Sequence, residues 1–277
     1  MGCFKDILML IIGGKDMNES TENKINVLLF YYGGITSTGN YVKAALHRLR
    51  NVNTIEIDYN DFHKISLRAA IFCRIMKIDC TPRLSPKIDI PRLLKKLKIN
   101  PDLIVLIDGS GYPILKGLEK VDVPTAYWAI DSHIKLNYHQ KIAKSFDYIF
   151  VAQKDYIKFF ENVCQNVFWL PLACDPYIFK DYNLNKIYDI VFVGNYGATV
   201  KKRTDLLERL SYKYDIHIYN NKYLREMAKI YSQSKIDYYL DNEKEREEIA
   251  KNGQKEVHKN HTYDIKVKKM LTTVGLL

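Results

Sequence analysis

From residue 25 to residue 171, short apolar runs alternate with helix-length amphipathic stretches, and that alternation leaves few folds open. The runs are "KINVLLFYY" (24–32), "NTIEIDY" (53–59), "PDLIVLID" (101–108), "VPTAYWAID" (123–131), "DYIFVA" (147–152) and "QNVFWLP" (165–171). The first is continuously apolar, as in a parallel strand buried on both faces. The intervening stretches 40–50, 62–78, 90–98, 134–146 and 153–162 read as helices, with Pro91 suited to a first helical turn. Strands alternating with helices of this length predict βαβ units and a doubly wound parallel sheet.

The rhythm breaks at "LACDPYIFKDYNLNK" (172–186), which reads as a linker. It restarts with strand "IYDIVFVG" (187–194), helix 201–211, strand "YDIHIYN" (214–220) and helix 222–234. From residue 238 onward every stretch is helical, so the second half has two strands where the first has six. The expected organisation is therefore an appended segment 1–24, a first domain 25–171, the linker, and a shortened second domain 187–277 with a helical tail.

The net charge of +10 admits nucleic acid, anionic membrane or phosphate-bearing ligands. Lysines are spread through every segment, which favours a solvated basic surface, and no nucleic-acid-binding motif is present. The apolar run 7–12 is too short to span a bilayer, which takes about 20 residues. The five cysteines form no CxxC pair and no zinc spacing. Such a scattered odd set fits reduced thiols in a cytoplasmic protein.

Ligands of open α/β sheets bind outside the carboxyl ends of the strands. That rule selects "GGITSTG" (33–39), "DGSGY" (108–112), "DSH" (131–133), "LACDP" (172–176) and "GNYG" (194–197). Gly33 and Gly34 open a loop of small and hydroxyl residues before a helix, where free amides suit a phosphate or sugar oxygen. The same stretch is equally readable as an ordinary tight turn. Lys201, Lys202 and Arg203 begin a helix, where exposed cations cost about 0.3–1 kcal/mol each. A diphosphate held by the Gly194, Asn195 and Gly197 loop and by Arg203 would reverse that cost; a solvated basic turn is the alternative. Asp131 and His133 follow a strand end, where the imidazole could take a proton from an attacking hydroxyl or merely cap a helix.

Several blocks in order, "PTAYWAIDSH", "FDYIFVAQKDYIKFF", "VFWLPLACDPYIF", "YDIVFVGN" with "KKRTDLLERL", and "EREEIAKNGQKEVHKNHTYDIKVKKML", resemble the spore-maturation CgeB-type proteins. Those are glycosyltransferase-like chains of GT-B fold, with two Rossmann-like domains facing a cleft. The resemblance covers residues 25–271. It implies an acceptor on the first domain, a nucleotide-sugar donor on the second, and no bound metal or other cofactor. By position, Gly194, Asn195 and Arg203 would approach the donor diphosphate, and Asp131 and His133 would line the cleft. The family carries on the order of fifty further residues, nearly two βα units, where Ile236 here meets Asp237. The resemblance thus implies a second domain lacking its middle, and with it the acidic residue that holds the donor's ribose or sugar. Two functions remain open on this basis: sugar transfer to an acceptor hydroxyl, or a non-catalytic descendant that binds a nucleotide, sugar or partner.

Overall fold

The structure is a computed structural model that describes residues 24–59, 87–109, 113–197, 200–234 and 243–277. The expected helix 62–78, nearly all of the appended segment and the junction of Ile236 with Asp237 lie outside the described residues. The chain forms two compact units, one running through Ala173 and taking up Tyr263–Leu277, the other Cys174–Thr262.

The first unit is built on a six-stranded, wholly parallel sheet. Its strands are β1 (Ile25–Tyr31), β2 (Val52–Asp58), β4 (Leu103–Ile107), β6 (Thr125–Ala129), β7 (Tyr148–Val151) and β8 (Asn166–Trp169), in spatial order β2-β1-β4-β6-β7-β8. Two further three-residue strands, β3 (Lys87–Asp89) and β5 (Ile114–Lys116), pair with each other outside this sheet. Each inner strand buries both of its faces, so its alternate side chains feed two separate cores. From β1, Leu28 and Phe30 enter the core that holds Ile90, Leu93 and Leu97 of helix α2 (Ile90–Leu97) and Ala143 of helix α3 (Ser132–Ala143). Val27, Leu29 and Tyr31 enter the opposite core, with Val42, Ala45 and Leu46 of helix α1 (Thr38–Arg48). Helices on both faces of a parallel sheet make this a doubly wound, Rossmann-like unit.

Local chemistry sets the helix ends. Ser37 caps α1 by accepting from the Gly39 amide at 3.1 Å. Asp89 caps α2 by accepting from the Arg92 amide at 2.9 Å, with Pro91 in the first turn as the sequence predicts. The stretch 154–159, predicted as helix, is a 3-10 segment with no buried residue.

The second unit holds β9 (Ile190–Val193) and β10 (Ile216–Tyr219), a parallel pair, with helices α4 (Lys201–Ser211), α5 (Leu224–Ser232) and α6 (Glu243–Asn260). An isolated parallel bridge joins Tyr188 to Ser234. Parallel strands are normally buried on both faces, yet here only Val193 of the eight strand residues is buried.

The last helix, α7 (Tyr263–Val274), departs from the expected division, which assigned all of 187–277 to the second domain. It packs on the first unit, burying Tyr263, Val267, Met270 and Leu271 in the core shared with α1. Tyr263 stacks on Tyr41 at 5.3 Å between ring centroids, and Arg48 Nε meets Asp264 Oδ1 at 2.7 Å. The spacing of the buried four puts them on one face of a helix, and that stripe fits the sheet face beside α1.

Candidate functional site

The strand order reverses between β1 and β4, and the crevice outside their carboxyl ends is where such sheets bind ligands. A pocket of about 260 Å³ lies there. Its lining comes from three strand ends: Tyr32 and Thr36–Thr38 after β1, Asp108 and Gly109 after β4, and Ile130, Asp131 and Lys135 after β6.

The first wall is the expected "GGITSTG" loop, and it is a closed turn. The Gly34 carbonyl accepts from the Ser37 amide at 2.9 Å and from Asn40 Nδ2 at 2.7 Å. The Gly33 amide donates to Asp58 Oδ1 at 2.8 Å, and any Cβ on Gly33 would overlap that carboxylate. A side chain there would have to displace the Asp58 carboxylate at the end of β2. Gly109 is required for a similar reason: a Cβ would lie 2.6 Å from Tyr32 Cβ and 2.7 Å from the Tyr59 hydroxyl. Its absence lets the β1 and β4 strand ends close on each other.

The deepest polar group is Asp108. Its side chain is only 4% exposed. Oδ2 accepts from the Ile130 amide at 3.2 Å and lies 3.2 Å from His139 Nε2, a close contact that falls short of an aligned hydrogen bond. His139 is fully buried, and its Nδ1 pairs with the buried Ser132 hydroxyl at 3.1 Å. The Asp108 Oδ1 atom is buried with no hydrogen-bond partner among the described residues. An unmade hydrogen bond on a buried polar group costs about 1–3 kcal/mol, and more when the group is charged. Natural chains seldom leave one without reason.

The expected pair separates. Asp131 lines the pocket, exposed, with φ 41° in the left-handed region that aspartate tolerates better than most residues. It precedes α3 without a side-chain cap bond, and α3 breaks from helical geometry at Lys135, which also lines the pocket. His133 is exposed and is not part of the lining. The histidine that does reach the site's polar core is His139, two turns further along α3. Ser132, His139 and Ala143 form the buried stripe of this helix. The break at Lys135 keeps simple helical spacing from foretelling it.

In the second unit, the loop after β9 holds Gly194, Asn195 and Gly197. The Gly194 amide donates to the Tyr219 carbonyl at 3.0 Å, and the Gly197 amide donates to Thr204 Oγ1 at 3.0 Å. Both are thereby engaged in shaping the loop. The amides of Asn195 and Tyr196 have no acceptor among the described residues. Arg203 is exposed; its Nη1 donates to the Asn195 carbonyl at 3.2 Å, and its guanidinium sits 5.7 Å from the centre of the Phe192 ring. Lys201 and Lys202 share the exposed first turn of α4. In the remaining candidate loop, "LACDP", buried Asp175 accepts from the Tyr177 amide at 3.0 Å and closes a turn. Burial pushes the Cys164 and Cys174 thiols up, so neither is a ready thiolate.

Residues 197–272 match the family described as glycosyl transferase-like. The match begins at the Gly197 turn, includes Arg203 and runs into α7. It supports a glycosyltransferase family for the chain, while the six-stranded sheet lies outside the matched residues. No curated protein matches the chain. No described helix is long and apolar enough to cross a membrane.

Proposed function

We propose that the protein belongs with the CgeB-type glycosyltransferases, whose reaction moves a sugar from a nucleotide-sugar donor to an acceptor hydroxyl. The observation that carries this is the glycosyl transferase-like match over residues 197–272, because it falls on the segment assigned to the donor. Donor diphosphate is held by the Asn195 and Tyr196 amides and by Arg203, with Gly194 and Gly197 shaping the turn. Three cations at the start of α4, Lys201, Lys202 and Arg203, are unfavourable against the helix dipole until an anion sits among them. The acceptor occupies the first unit's pocket, where Asp131 contributes to the wall and His133 is the proton acceptor beside it. Catalysis in such a site rests on orientation, diphosphate stabilisation and a general base.

A second reading, a non-catalytic nucleotide- or sugar-binding descendant, is favoured by the half-exposed strands of the second unit. It follows if the family's segment between α5 and α6 is deleted here, since that segment carries the acidic clamp for ribose or sugar. Losing one or two charge-assisted hydrogen bonds, about 1.5–3 kcal/mol each, weakens binding by roughly tenfold to over ten-thousandfold. Calorimetry is expected to give UDP or GDP dissociation constants of about 100 μM or weaker, little preference among sugars, and further loss in Arg203→Ala. Under this second reading labelled UDP- and GDP-sugars turn over near background, whereas turnover well above it supports the transfer reading. Nucleotide binding that ignores Arg203→Ala overturns the donor assignment. Tight, sugar-selective binding with turnover overturns the deletion.

A further inference from the structure

We infer that the first unit's pocket recognises the uncharged, hydroxyl-rich part of its ligand through Asp108, and that it rejects phosphate. This deepens the acceptor assignment made above and rests on it. Asp108 lines the pocket, and its Oδ2 is already taken by the Ile130 amide and His139. The other carboxylate oxygen, Oδ1, is buried and has no partner among the described residues. A carboxylate accepts and cannot donate, so its partner must bring a hydrogen. Asp131 adds a second carboxylate to the same lining, against one cation, Lys135. Two carboxylates repel a phosphate, although the α1 amino terminus alone would attract one. They suit a ligand presenting several hydroxyl groups. Ser37 and Thr38 supply hydroxyls that both donate and accept, and Tyr32 supplies an aromatic flank. Lys135 already provides the positive charge, so a neutral polyol fits better than an amine.

The test uses the full chain and does not depend on nucleotide binding. Saturation-transfer NMR with glucose and with glucose 6-phosphate compares the wild-type chain with Asp108→Asn and with Arg203→Ala. Glucose is expected to give signal in the wild type and in Arg203→Ala, and to lose it at least tenfold in Asp108→Asn. Glucose 6-phosphate and inorganic phosphate are expected to leave the Thr36–Gly39 amide resonances of the wild type unmoved at millimolar concentration. That second measurement holds even if Asp108→Asn folds poorly. Phosphate-driven shifts at those amides, or glucose signal unchanged in a folded Asp108→Asn chain, overturn the inference. Glucose bound through Asp108 in a chain that binds no nucleotide upholds it while overturning the glycosyl-transfer reading.

Discussion

A chain cut after Lys180 is expected to lose the cooperative unfolding of the first unit, although it keeps all six strands of the sheet. The cut removes α7, whose Tyr263, Val267, Met270 and Leu271 are each at most 3% exposed in the core beneath α1. Burying such side chains is worth about 1.5–3 kcal/mol apiece, so the loss is roughly 6–12 kcal/mol as an upper estimate. A domain's whole stability is about 5–15 kcal/mol. The Tyr41 ring and the Arg48 guanidinium also lose their contacts with Tyr263 and Asp264. Urea unfolding of the cut chain, followed by circular dichroism, is expected to show a broad transition without a folded baseline. Adding a peptide of residues 263–277 is expected to sharpen it. A cut chain that unfolds with the midpoint of the intact protein would show that α7 is an accessory to the unit and not part of its core.

The six-stranded sheet was legible because parallel strands buried on both faces leave continuous apolar runs, as in "KINVLLFYY". The pair β3 and β5 was not, because three-residue strands with one buried side chain each leave no run to detect. Helix α7 was visible as a helix but not as part of the first unit. Nothing in an amphipathic stripe names the surface it will meet, and α7 follows α6 with only His261 and Thr262 between them. At the pocket, sequence position selected loops that line it, since ligand loops follow strand ends whatever their composition. It singled out His133, which lies outside the pocket lining, and did not consider His139, because it ranked side chains by proximity to a strand end. Burial supplies the discrimination: His139 is buried with Ser132 and Ala143, while His133 is exposed, and the break at Lys135 keeps simple helical spacing from foretelling it.

That difference in burial predicts opposite outcomes for two histidines six residues apart. His139→Ala is expected to destabilise the first unit by about 1–3 kcal/mol or more, the usual cost of leaving buried polar groups without their partners. The imidazole is fully buried between Asp108 and Ser132, so its loss leaves a cavity and strips Asp108 Oδ2 of every named partner except the Ile130 amide. The carboxylate would then be buried with one oxygen unpartnered and the other poorly served, and the Ser132 hydroxyl would lose its own contact. His133→Ala changes an exposed side chain and is expected to stay within about 0.5 kcal/mol. Denaturant midpoints at constant m-value separate the two. Combining His139→Ala with Asp108→Asn supplies the stronger check, because neutralising the carboxylate removes the reason it needs the imidazole. The double variant is expected to be more stable than the sum of the two single losses allows, by about 1–3 kcal/mol. Simple additivity would mean that His139 fills space beside Asp108 without supporting its charge, and the pocket's carboxylate would have to be held by the Ile130 amide alone.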